Sequence, residues 1–197
     1  MRAFASFVSF SLVSLSLAAV GCSAKTNTPS DTSVEGSVLA NDVRPKTALA
    51  LLGDFFPASK TGESTKGLRL FFSDKGNTCS ELHLASATTL DVRLRSTNLA
   101  PGAKFEIVDA KLATPAEGQG EADFGRVDGK CVDVASGTAQ SGTIVIDTVE
   151  HAIVGGVSHI AGSMDIVFAG GHVSGAFDAE LCDGGTQPAF DGAACME

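Results

Sequence analysis

The chain has 197 residues, with 14 Lys and Arg against 23 Asp and Glu, and a formal net charge of -9 at pH 7. An acidic surface repels phosphate backbones and anionic headgroups, which argues against nucleic-acid binding and against electrostatic attachment to membranes. Tyr and Trp are both absent, so carbohydrate platforms, proline-peptide grooves and the aromatic girdles of outer-membrane barrels lack their usual material.

The chain opens on Met1-Arg2, followed by an apolar run from Ala3 to Val20 and then small residues leading into Cys22. A charged start and a hydrophobic middle are the anatomy of a secretory signal. The stretch Leu17-Ala-Ala-Val-Gly-Cys22 resembles the lipobox of bacterial lipoproteins, with Ala19 where lipoboxes usually carry Leu. The resemblance implies a cut between Gly21 and Cys22, lipid on the Cys22 sulfur, and attachment to the cell envelope. Ser23 lacks the Asp that retains some lipoprotein families at the inner membrane, so the resemblance favours the outer membrane. Two other readings stay open. An ordinary secretory cut gives the same terminus without lipid. An uncleaved anchor is just long enough, but five serines interrupt it and no basic cluster follows.

Residues 1–21 are therefore expected as signal, 22–42 as a lipidated tether rich in Ser, Thr, Asn, Pro and Asp, and 43–197 as one β domain. Within that domain Thr47 to Phe56 is read as a strand, although Ala and Leu there suit a short helix equally. Gly62 to Gly67 is read as loop. Leu68, Leu70 and Phe72 then alternate with Arg69, Phe71 and Ser73, before a turn at Asp74-Lys75-Gly76-Asn77. Leu90, Val92 and Leu94 alternate with Asp91, Arg93 and Arg95, a strand with one wet face. Phe105 and Ile107 follow the Pro101-Gly102 turn, and Ala122 and Phe124 mark another strand before Asp128-Gly129. The segments 142–147, 162–166 and 175–179 read as three successive strands, the last two joined at Gly170-Gly171. Ile144, Ile146, Met164, Ile166, Phe168, Val173, Phe177 and Leu181 should face inward. About eight short strands and no convincing long helix predict an all-β fold, a single antiparallel β-sandwich or small barrel. The hairpin with Gly-x-Phe-Asp-Ala ending in a cysteine also resembles the C-terminal part of uncharacterised exported lipoproteins, a likeness that implies no activity.

With Cys22 lipidated, Cys79, Cys131, Cys182 and Cys195 remain as an even set, and export permits disulfides. No C-x-x-C spacing is present, so structural bridges are expected. Four cysteines allow three pairings. The short local loop favours Cys182 with Cys195, and hence Cys79 with Cys131.

The three C-terminal strands place Asp147, Asp165 and Asp178 on the face opposite their apolar residues, with Glu180 beyond. Carboxylates brought together there would repel, and a hard divalent cation such as calcium would relieve them. No calcium loop motif accompanies them, so a solvated face with offset acids is the favoured reading. His151, His159 and His172, with His83 apart, have no metal-ligand spacing. Ser158-His159 and Ser174 lack the G-x-S-x-G setting of a nucleophile elbow. H-E-x-x-H, Walker and dinucleotide patterns are missing, and no cofactor is called for. Phe55-Phe56 and Phe71-Phe72 each send one ring off the core face, where a second layer is expected to cover it. The expectation is a non-catalytic binding or interaction domain held at a membrane by lipid on Cys22, facing an unknown envelope or surface partner. A divalent-cation-binding domain is the alternative, and a hydrolase the third.

Overall fold

The computed structural model describes residues 32–56, 66–80, 82, 84–150 and 158–182. These form ten strands and no helix: β1 (Glu35–Val38), β2 (Asn41–Val43), β3 (Thr47–Asp54), β4 (Lys66–Ser73), β5 (Thr88–Arg95), β6 (Lys104–Val108), β7 (Gln119–Val127), β8 (Asp133–Glu150), β9 (His159–Phe168) and β10 (Gly171–Leu181). The expected signal, Cys22, Cys195, His83 and His151 lie outside the described residues.

All ten strands belong to one sheet, and the sheet returns on itself. β3, β4, β5 and β7 pair in antiparallel succession, β7 leads to β8, β8 to β9 and β9 to β10. β10 then pairs with β3 through Glu180↔Leu49 and Leu181↔Ala50, which closes the ring. β6 is inserted between β7 and β8. The β10–β3 and β6–β7 pairings are parallel, so the sheet is mixed where a purely antiparallel one was expected. Side-chain period reveals which face a residue takes, not which strand lies beside it or in which direction.

The ring is filled. Leu68, Leu70 and Phe72 of β4 meet Leu90, Val92 and Leu94 of β5, Phe124 of β7, Ile144 and Ile146 of β8, Ile160, Met164 and Ile166 of β9, and Val173 and Phe177 of β10. Phe72 and Phe177 cross the interior edge to face, with ring centroids 5.7 Å apart. At Gly162 an added Cβ would collide with the Val145 carbonyl and the Phe177 ring, so glycine there makes room for the aromatic pair. Dispersion across such a filled interior, rather than a central cavity, holds the ring.

Residues 32–42 are not tether. Val34, Val38 and Val43 are buried in the same core, and β1 pairs with β10 from Glu35↔Ser174 to Val38↔Gly171 before turning into β2. The three valines are separated mostly by polar residues, and Leu39 and Ala40 at the turn are exposed, so the segment reads as hydrophilic although Val34, Val38 and Val43 all point into the core. Ahead of β1, the Ser33 amide donates to the Ala176 carbonyl at 2.9 Å. Gly175, at φ 142°, permits that approach, because a Cβ would strike the Ser33 carbonyl.

A second, smaller layer covers the outer face of β3 and β4. Leu49, Leu51 and Phe71 point outward and pack beneath Leu82 and Cys182, with Phe55 and Cys79 at the margin. The covering segment is the β4–β5 connection, held by Asn77 Nδ2 donating to the Leu82 carbonyl at 2.7 Å. Phe71 is therefore covered, as expected of the Phe71-Phe72 pair. Phe56 is also buried, beneath the Arg95 guanidinium at 5.8 Å from its ring centre.

The disulfide is Cys79–Cys182, with Cα atoms 5.5 Å apart. This overturns both expected pairings, Cys182 with Cys195 and Cys79 with Cys131. Loop length favoured the short loop, but the second layer brings Cys79 onto the end of β10, and position rather than separation along the chain decides pairing. Cys131 is disulfide-bonded as well, so its partner falls outside the described residues. Non-reducing peptide mapping is expected to recover Cys79 joined to Cys182. The Cys79→Ala/Cys182→Ala double variant should lose about 3 to 5 kcal/mol in urea unfolding, since the bridge closes a separation of 103 residues. A Cys79–Cys131 peptide, or a loss below about 1 kcal/mol, would contradict the pairing.

Candidate binding groove at the turn end of the ring

With the interior packed, a ligand has only the outer face and the two ends of the ring. The outer face of β4, β5 and β7 is occupied by ion pairs. Register sets like charges opposite one another, Arg69↔Arg93 and Asp91↔Asp123, and diagonal contacts resolve the conflict. Arg69 grips Asp91 through two bonds of 2.7 Å, while Arg93 reaches Asp123 at 2.6 Å and Glu121 at 2.9 Å. Arg95, expected on a wet face with Arg93, is buried and donates to the Pro115 carbonyl at 2.8 Å. The face is only half-buried, and its charges meet one another at close range.

The balance of that cluster is uneven. Burial opposes the Arg93 charge, but Asp91, Glu121 and Asp123 outweigh it and hold its pKa above the ordinary value. Glu121 is pushed up as well, by burial first; Arg93 works to lower it, while Asp123 and Asp91 raise it further. One ion pair thus favours the arginine's charge without securing the glutamate's. The cluster sets three carboxylates against two guanidiniums, and Glu121 is the one whose charge burial disfavours.

The acids expected to share a sheet face are not brought together. Asp165 lies between Thr143 and Ser174, Asp178 lies opposite Ala161, and Asp147 falls at an irregularity in the β8–β9 register. Each of the two on β9 and β10 instead meets a histidine: His172 Nε2 is 3.0 Å from Asp165 Oδ1, and His159 Nδ1 is 2.9 Å from Asp178 Oδ1. Among the described residues no three His, Cys, Asp or Glu side chains gather as a cation would require. Ser174 shares its face with His172 and Asp165, but that surface is open, with His172 and Asp165 each more than half exposed. Ser158 precedes His159, and its carbonyl accepts the Leu181 amide at 2.8 Å.

Among the described residues, each end of the ring has a concavity. The first, about 440 Å³, has Leu52, Leu99, Val149 and Ile160 in its wall. It lies where β3–β4 and β8–β9 run into connections outside the described residues. The second, about 880 Å³, lies at the opposite end, between the β1–β2 tip and the β7–β8 tip, and is lined by Leu39, Asn41, Ser86, Arg126, Asp128 and Val134 among others. Its walls are tied by backbone: Leu39 donates to the Gly170 carbonyl at 3.1 Å and Ser86 to the Asp128 carbonyl at 2.9 Å.

This groove collects the unusual backbone of the molecule. Leu39, Ala40, Ser86 and Cys131 are the described non-glycine residues at positive φ, between 50° and 62°. Leu39 and Ser86 line the groove, Ala40 adjoins Leu39, and Cys131 belongs to the β7–β8 turn. The β1–β2 turn has the Val38↔Asn41 closure that normally takes Asn-Gly, yet carries Leu-Ala. Such strain persists where surrounding structure enforces it, and it clusters at binding sites. The sequence offered no sign of the groove: Leu39-Ala40 has no turn signature, and Arg126 is one charge at the end of an alternating strand. Compared with known proteins, the chain matches no family model, no curated protein and no solved structure.

Glu121 gives a test of the outer face. Because its folded pKa is raised, its contribution to stability is fully present below the ordinary Glu value, about 4.3, and is lost as pH rises through the raised folded pKa. Glu121→Gln should therefore be as stable as the parent or more so at pH 7, with a flatter stability profile above about pH 4.3. Urea unfolding at several pH values checks this; a clear loss of stability at pH 7 would contradict it.

Proposed function

We propose that this chain is an exported lipoprotein, held at the bacterial outer membrane by lipid on Cys22, whose β domain is a non-catalytic binding or interaction module for an envelope or surface partner. The observation that supports the reading is that the described chain begins away from the groove. The first described residue, Thr32, bonds to the Asp178 backbone, and from there β1 runs toward the turn end at Val38↔Gly171. The chain leading back to Cys22 thus departs from the other half of β10. Cys22 lies ten positions before Thr32, a reach of up to about 35 Å when extended. A lipid at Cys22 leaves the groove free to face a partner. The Cys79–Cys182 disulfide suits an oxidising, exported location.

Cys22→Ser is the test. Mass spectrometry of the mature parent should find a lipidated Cys22 terminus, and the variant should shift from the membrane fraction to the soluble one. Each buried methylene contributes about 0.8 kcal/mol to membrane attachment, so removing the chains removes the anchor. Unchanged membrane association of the variant, or an unmodified Cys22 terminus in the parent, would defeat the reading.

A further inference from the structure

We infer that the turn-end groove docks the free C-terminal carboxylate of an extended peptide whose last residue is aliphatic, with Arg126 as the carboxylate clamp. This rests on the reading of the domain as a binding module and names the partner chemistry.

Arg126 is oriented but not neutralised. Its Nη1 donates to Asn41 Oδ1 at 2.6 Å. The amide of Asn41 is itself fixed, since Nδ2 donates to the Leu39 carbonyl at 2.9 Å and the Val38 carbonyl at 3.2 Å. The β1–β2 turn therefore sets the plane of the guanidinium through a neutral oxygen, leaving the fork's other donors for a ligand. The one acid lining the groove, Asp128, points Oδ1 at the Lys130 and Val132 amides of its own turn. A planar fork with no carboxylate partner among the described residues fits a carboxylate in two parallel bonds. The chain's net charge of -9 disfavours polyanions at long range. An anion held here needs only one or two charges and close contact.

The rest of the groove fits what lies next to such a carboxylate. Leu39 and Val134 are 45% and 56% exposed and stand in its wall, where an aliphatic side chain covers both. β2 is the outermost strand of the sheet, with no strand on its second side among the described residues. Asn41 closes the hairpin on Val38, so the outward main-chain groups of β2 are those of Asp42, next to Asn41, and an extended peptide uses them by adding a strand. A fatty acid has no use for that edge, which is why a peptide terminus is the better occupant.

The experiment is fluorescence anisotropy with the full-length protein and an amino-terminally labelled Gly-Ser-Ala-Val-Val probe, as free acid and as C-terminal amide, at low salt. The acid should bind at least about tenfold more tightly than the amide, the difference that one charge-assisted pair supplies. Arg126→Gln should bring the acid down to the level of the amide, and Arg126→Lys should retain part of the difference. Arg44→Gln, which alters an exposed arginine outside the groove, should change nothing. An amide that binds as well as the acid overturns the clamp while leaving the binding-module reading in place. No binding of either probe, equal losses in Arg126→Gln and Arg44→Gln, or displacement of the acid by decanoate at no higher concentration than unlabelled peptide each overturns the peptide site.

Discussion

Every other feature of this fold depends on the pairing of β10 along both of its edges. A strand edge left open is a row of unpaired donors and acceptors, and here it would also bare the interior faces of β3 and β9. One edge of β10 is taken by β9 over its whole length. The other is divided between the Ser33 segment, β1 and β3. Early and late parts of the chain therefore meet on one strand, and residues 32–43 are drawn into the core.

The same closure explains where recognition is possible. A seven-strand circuit filled by Phe72, Phe105, Phe124, Phe177 and branched aliphatics leaves no central space. The second layer under Leu82 and the Arg69–Asp91–Arg93 cluster occupy much of the outer face. What remains is the ends. At the turn end the strained β1–β2 tip and the β7–β8 tip stand apart around Arg126, the strain being supported by the pairing of β1 with β10.

The alternation that a filled ring imposes was legible in the sequence. Leu68, Leu70 and Phe72, then Leu90, Val92 and Leu94, then Ile144 to Phe177 carry the period of two, and all are buried. Thr47 to Asp54 was read as a strand against an equally good short helix, because its outward Leu49 and Leu51 are apolar too, hidden by a second layer, and blur the period of two. Residues 32–43 mislead, because Val34, Val38 and Val43 are too sparse to show a period. The disulfide pairing and the parallel contacts depend on which strands become neighbours, which side-chain period does not encode. Arg93 and Arg95 read as solvated because charge in a sequence carries no sign of its partner; Asp123, Glu121 and the Pro115 carbonyl arrive from β7 and the connection before it. The groove was illegible for the same reason, since Asn41 and Arg126 are 85 residues apart.

Native-state hydrogen exchange at the seam tests the closed ring most directly. The Cys182 amide donates to the Ala50 carbonyl at 2.8 Å, across the junction where β10 meets β3. If closure is the constraint on which the fold rests, that amide should exchange only by global unfolding, with the same free energy and denaturant dependence as the amide of buried Leu70 in β4. Exchange at Cys182 by a local opening that leaves Leu70 fully protected would show an open sheet and contradict the account.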